Sequence, residues 1–134
     1  MTSPIPIRRA RLGDVETIYR LILSAMSQGK ILKRSRPEIR RVIHHFWVAE
    51  KEDCVVACCA LEVYNKKLAE IRSLAVDPGY QGKGIAGGLL NKCLQEAKKR
   101  RIYEVLAITD RENMFRRWGF SEQFHGQKAL FLRR

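Results

Sequence analysis

Between Gln81 and Ala86 the chain reads Gln-Gly-Lys-Gly-Ile-Ala, with further glycines at 87 and 88. A glycine has no Cβ, so its backbone can approach a ligand closely and adopt φ > 0. From Gly84 onward Ile85, Leu89, Leu90, Cys93, Leu94 and Ala97 form one apolar stripe at helical spacing. The turn therefore opens a helix whose first N–H groups lack partners and whose end carries partial positive charge. That combination matches a pyrophosphate, and Lys83 adds a full charge. It is not a Walker A loop, because Gly-Lys is not followed by Ser or Thr. Gly82, Gly84 and Gly87 do satisfy G-x-G-x-x-G. A dinucleotide turn, however, follows the first strand of a parallel βαβ unit, whereas this one follows a meander of three strand-like runs.

The other groups able to do chemistry are thinner. Cys54, Cys58, Cys59 and Cys93 contain no C-x-x-C pair, and His44-His45 lacks the spacing of a zinc site. The thiols read as small apolar residues, and no metal is expected. On a regular strand Cys54 and Cys58 share one face and Cys59 takes the other.

The elements that position the turn follow from periodicity and punctuation. Ile5 to Arg9 reads as a short strand, and Val15, Ile18, Ile22 and Ala25 as a helix after Asp14, its expected N-cap. Ser35-Arg-Pro-Glu38 is a capping box opening a second helix to about His44. Phe46 to Glu50, Cys54 to Val63 and Leu68 to Val76 are strand-like, joined by short polar turns as antiparallel hairpins require. Asp77-Pro-Gly79 breaks the third of these. After the long helix, Glu104 to Ile108 is a strand, and Thr109-Asp-Arg-Glu112 is a second capping box opening a short helix that ends near Trp118-Gly119. Phe120 to Phe124 and Ala129 to Leu132 are expected as two final strands. The order is β-α-α-β-β-β-α-β-α-β-β, an α/β (α+β) chain with a mixed, mostly antiparallel sheet of about seven strands and helices on both faces.

The 134 residues fit one domain spanning 1–134, and 46% hydrophobic content is enough for a core. No window nears the roughly 18 apolar residues of a membrane span, and no signal peptide is evident, so a cytoplasmic protein without a membrane partner is expected. The net charge of +12 invites nucleic acid, but the cations are dispersed from Arg8 to Arg134 and no nucleic-acid-binding motif appears. Lys98-Lys99-Arg100-Arg101 falls at an expected helix C-terminus, where cations are locally favourable. A basic surface suits anionic ligands, and no nucleic-acid partner is expected.

Gln81-Gly-Lys-Gly-Ile-Ala86 resembles the Gln/Arg-x-x-Gly-x-Gly/Ala motif that binds the acetyl-CoA pyrophosphate in the GNAT superfamily of N-acetyltransferases. The likeness extends upstream through Ala69-Glu-Ile-Arg-Ser-Leu-Ala-Val-Asp-Pro-Gly-Tyr80 and downstream to Trp118-Gly-Phe120, and covers nearly the whole chain. A closer likeness, to the acetyltransferase domain of N-acetylglutamate synthases, rests on Ile31-Leu-Lys-Arg-Ser35, Phe46-Trp-Val-Ala-Glu50, Ile108-Thr109 and Met114-Phe115. The amino-acid kinase domain of many such synthases is absent from this sequence.

The resemblance implies an enzyme that moves the acetyl group of acetyl-CoA onto a primary amine of a small molecule, an amino acid such as glutamate among the candidates. It implies strands four and five splayed around pantetheine, with the backbone of Leu74, Ala75 and Val76 bonded to it. Gln81, Gly82, Lys83, Gly84, Ile85 and Ala86 would hold the pyrophosphate, and Thr109 and Phe115 would line the cofactor. Glu70 stands where many members carry their general base, or it is a strand glutamate paired with Arg72 or Lys67. Phe115 occupies the place of the usual acid, a tyrosine; Tyr64 and Tyr103 are the substitutes on offer. For a glutamate acceptor, Lys33, Arg34 and Arg72 are the candidate cations, since two carboxylates call for paired guanidinium groups; the first two read equally as solvated loop charges. The alternative function is a catalytically weak domain that binds acetyl-CoA as a sensor or interaction module. A homodimer is compatible with the sequence, which sets no oligomeric state.

Overall fold

The computed structural model describes residues 5–28 and 32–134. Ile31, where the similarity to the synthases begins, lies outside the described residues. Strand β1 (Ile7–Arg9) leads through a single turn at Leu12–Asp14 into helix α1 (Val15–Gln28), followed by α2 (Arg36–Arg41). Strands β2 (Phe46–Lys51), β3 (Cys54–Val63) and β4 (Leu68–Val76) form a meander. Helix α3 (Ile85–Lys99), strand β5 (Glu104–Ala107) and helix α4 (Glu112–Arg116) complete the regular elements.

The five strands lie in chain order, antiparallel except for β4 and β5, which run parallel. That mixed sheet is the GNAT-type architecture expected, but with five strands among the described residues instead of about seven. Phe120 to Phe124 and Ala129 to Leu132 form no strand. Phe124 bridges only to Gln127 across the reversal at His125-Gly126, both at positive φ. Leu130, Phe131 and Leu132 are exposed. Strand-like composition cannot substitute for a neighbouring strand that pairs the backbone N–H and C=O groups.

Both faces of the sheet are covered. Ala57, Cys59, Leu61, Ala69 and Ile71 pack against Leu89, Leu90, Cys93 and Ala97 of α3. Cys58, Ala60 and Ala75 face Ile18 and Ile22 of α1 and Ile39 of α2. The near-continuous apolar run of β3 is the consequence of this double burial.

Local chemistry adjusts several boundaries. The box at Ser35 forms, with its Oγ accepting from the Glu38 N–H at 3.2 Å, but α2 stops at Arg41 and a tight turn takes Ile43–His45. Asp14 caps the turn before α1 by accepting from the Arg11 N–H at 2.7 Å. The second box does not form, because Thr109 Oγ1 accepts from the Arg111 N–H at 2.8 Å and delays α4 to Glu112. An extra residue on β3 between the pairs Ala49↔Ala57 and Glu50↔Val55 makes a bulge, so Cys54 and Cys58 lose their common parity.

Candidate active site

Asp77 stops β4 and accepts through its carboxylate from the Gly79 N–H at 2.8 Å, turning the chain toward α3. Gly82 and Gly84 take φ of +77° and +79°, the left-handed region that disfavours other residues. Gly84 is the N-cap of α3 without a side-chain cap, which leaves first-turn N–H groups for a ligand. Trp118 lies against the helix start at Gly87, where an added Cβ would meet the indole at 3.5 Å, an ordinary van der Waals contact.

A cleft of about 700 Å³ opens at this turn. Its wall includes Val76, expected along the pantetheine, and Gln81, Gly82, Gly84, Ile85 and Ala86, expected at the pyrophosphate, together with Arg111 and Arg117. Lys83, Leu74, Ala75, Thr109 and Phe115 are not in the wall. Lys83 Nζ sits 5.7 Å from the Tyr80 ring centre. Phe115 is buried and meets Phe120 edge-on at 5.1 Å, a core position. Arg111 and Arg117 escaped the sequence reading. Their only signal was position, either side of Met114-Phe115 and before Trp118-Gly119.

The second part of the site lies along β4. Pairing with β5 runs from Leu68↔Glu104 to Ile71↔Ala107 and stops, while β4 continues to Val76. From Arg72 onward β4 therefore has no strand partner on the side of β5 among the described residues, and the Val76 carbonyl accepts from Gln81 Nε2 at 3.2 Å. The register with β3 shifts between Ala60↔Arg72 and Cys58↔Ala75, and Ser73 takes φ +57° at that bulge. The bulge follows Arg72, so Glu70 and Arg72 keep the same parity.

Glu70 pairs directly with Glu62 on β3. Like charges at such a position repel unless cations intervene, and here they do. Arg34, only 5% exposed, donates through Nη2 to Glu62 and through Nη1 to Ser73 Oγ at 3.3 Å. Arg72 Nη1 donates to the other Glu62 oxygen at 2.9 Å. Burial of Glu62 opposes ionisation, but hydrogen bonds from Arg34 and Arg72 outweigh it and hold the carboxyl below its usual range. Tyr64 donates its hydroxyl to Glu70, and burial followed by that carboxylate pushes the phenol up to about 12. Tyr103 is 87% exposed just before Glu104, beyond the far end of the β4–β5 ladder from the glycine turn. Of the proposed acceptor cations, Arg34 and Arg72 come together with Glu70, and the exposed Lys33 does not join them. Glu62 and Ser73 were missed; the register of a hairpin closed at Asn65–Lys67 would have placed Glu62 opposite Glu70.

Cys54 is exposed and the other three thiols are buried, Cys58 Sγ lying 3.4 Å from the Ser73 carbonyl. Cys58 is fully buried, which pushes it up to about 12, and Cys59 and Cys93 face each other at 3.7 Å inside the core. No group of three or more His, Cys, Asp or Glu among the described residues could hold a metal ion. Among them, too, no helix is long and apolar enough to cross a membrane.

A mixed sheet whose fourth strand runs on past its pairing with the fifth, beside a glycine-rich helix start, is the frame of an acetyl-CoA-dependent acetyltransferase. Residues 15–126 match the acetyltransferase (GNAT) family, and the chain belongs to it. It is thereby an acetyl-CoA-dependent N-acetyltransferase by class. The amino-acid acetyltransferase of Mycobacterium tuberculosis is 38% identical over 120 residues, covering 87% of this chain and 68% of that protein. A solved Mycobacterium tuberculosis structure containing CoA superposes with a TM-score of 0.81 at 34% identity, over 89% of this chain and 73% of that one. The N-acetylglutamate synthase of Neisseria gonorrhoeae, solved with coenzyme A and N-acetyl-glutamate, gives a TM-score of 0.79 at 28% identity. The match covers 89% of this chain but only 28% of that synthase.

Proposed function

We propose that the chain acetylates the amine of a small, carboxylate-bearing acceptor, an amino acid, with Glu70 as the general base. The observation that carries this reading is the position of Glu70. It sits one residue before the last β4–β5 pair, on the parity of Arg72 and opposite the guanidinium-bound Glu62. The names of relatives that act on amino acids support the acceptor class.

Acetyl-CoA enters with its pyrophosphate on the N–H groups from Gly82 to Ala86, and Arg111 and Arg117 add charge at the cleft wall. The open edge of Leu74 to Val76 offers the pantetheine amides a strand-like partner. These residues fit the cosubstrate because the glycines leave the approach clear and the helix end is uncapped. The thioester supplies the electrophilic carbonyl. Glu70 takes a proton from the acceptor's ammonium, the freed lone pair forms the C–N bond as the C–S bond breaks, and the second N–H proton passes to solvent as the amide forms. With Phe115 in the core and Tyr64 bonded to Glu70, the departing thiolate takes its proton from solvent. Thiolates leave without an acid far more readily than alkoxides, because a thiol's pKa is near 8.5.

The experiment is a thiol-release screen with acetyl-CoA against free amino acids, polyamines, aminoglycosides and peptide N-termini. Release with amino acids is the expected result. Release only with polyamines or peptides would refute the acceptor class, and acetyl-CoA binding without any release would favour the sensor reading.

A further inference from the structure

A dicarboxylic acceptor such as glutamate needs two cationic positions, one for each carboxylate. The two guanidinium groups beside Glu70 are those of Arg34 and Arg72, and Glu62 already engages both, one with each carboxylate oxygen. The four charged side chains, Arg34, Arg72, Glu62 and Glu70, sum to zero. Arg34 is enclosed: its side chain is 5% exposed, its Nη1 is spent on Ser73, and its ring-side neighbour is Phe46, with Cζ 5.9 Å from the ring centre. Its Nε is buried without a hydrogen-bond partner, so the guanidinium holds one unsatisfied donor in this pocket. Arg72 is more accessible, at 27%, with only Nη1 committed to Glu62.

We propose that Glu62 is the residue that sets acceptor specificity, by filling with its own carboxylate the guanidinium clamp that a second acceptor carboxylate would need. The inference rests on the proposed acceptor site beside Glu70. A zwitterionic amino acid with a neutral side chain brings no net charge into a neutral cluster. Its α-carboxylate can bind the free side of Arg72, and its ammonium is drawn to Glu70. A dicarboxylic amino acid brings one further negative charge next to both Glu62 and Glu70, with no unengaged guanidinium to receive it. Like-charge contact and unpaired burial then act together as a filter against it. Lys33, the one further cation expected from sequence, is exposed and is not among the partners of this cluster.

The test compares kcat/KM by thiol release for glutamine, alanine and methionine with that for glutamate and aspartate, in the parent protein and in Glu62→Gln. The parent is expected to favour the neutral side chains by at least tenfold. Glu62→Gln keeps the shape, removes the charge and leaves one acceptor oxygen for the two guanidinium groups, so the ratio should move at least tenfold toward glutamate. Glu62→Asp, which retains the carboxylate, should retain the parent's preference. A parent that uses glutamate as well as or better than glutamine overturns the inference, whatever the variants do. So does an unchanged ratio in Glu62→Gln. Either result leaves the amino-acid acceptor standing, whereas absence of release with every amino acid overturns both readings.

Discussion

Glu62 and Glu70 stand directly opposite each other on β3 and β4, and each has its own neutralising or hydrogen-bonding partner. Arg34 and Arg72 hold the first, and Tyr64 donates to the second. The arrangement leaves one carboxylate ion-paired with two guanidinium groups and the other hydrogen-bonded to a neutral hydroxyl, with Arg72 nearby but bonded to Glu62. A base has to accept a proton, and the carboxylate without a bound cation is better suited to that task.

Glu70→Gln keeps the hydrogen-bonding shape and removes the proton acceptor. The turnover number should fall by about 10²–10⁴, with acetyl-CoA affinity unchanged. Stopped-assay kinetics with calorimetric binding of acetyl-CoA separate the two quantities. Full turnover in the variant across the pH range would transfer proton removal to solvent.

Gly84→Asp places a β-carbon at φ +79°, where nothing lies within 4 Å, so the variant pays backbone strain without a steric clash. That strain is on the order of 1–2 kcal/mol. Its carboxylate would face the pyrophosphate. Acetyl-CoA should raise the Tm of the parent by mass action on the folded state and raise that of the variant much less. Equal shifts in the two proteins would remove the glycine turn from the cofactor site.

Arg111→Ala and Arg117→Ala should each weaken acetyl-CoA binding by about 1.5–5-fold, the range of a solvent-accessible charge contact. Salt should shrink the difference, because exposed charges are screened. Titration at low and high ionic strength checks both statements, and a loss that persists undiminished in high salt would point to packing instead.

Phe115→Tyr adds a hydroxyl to a buried ring that already meets Phe120 edge-on. Stability should fall by about 1–3 kcal/mol if the oxygen finds no partner, with no gain in turnover. Urea unfolding and thiol-release kinetics measure the two effects. A gain in turnover would place this position at the leaving thiolate after all.

Acid stability should depend on Asp14. Hydrogen bonds from Arg8, at 2.8 and 3.0 Å, outweigh its burial and hold its carboxyl below the ordinary value. The unfolded chain therefore takes up the proton first as pH falls. The stabilisation is fully present above about pH 4 and is lost as pH drops through the lower folded value. Urea midpoints measured downward from neutral pH should decline in the parent and decline less steeply in Asp14→Asn.

The sequence by itself determined the helices α1 and α3, the meander from Phe46 to Val76 and the glycine turn. Each is encoded in contiguous residues: apolar spacing, polar turns, and glycines where positive φ is required. The cluster of Arg34, Glu62, Glu70, Arg72 and Ser73 was legible only in fragments, because Arg34 reaches Ser73 from 39 residues away. Folding alone brings a loop before α2 onto the face of β3 and β4. The two bulges, the early start of the open β4 edge and the removal of Phe115 into the core were likewise tertiary outcomes. So was the failure of the last two strands. Phe120 to Phe124 and Ala129 to Leu132 read as strands, but a strand exists only where another backbone offers its donors and acceptors, and no local pattern specifies that neighbour.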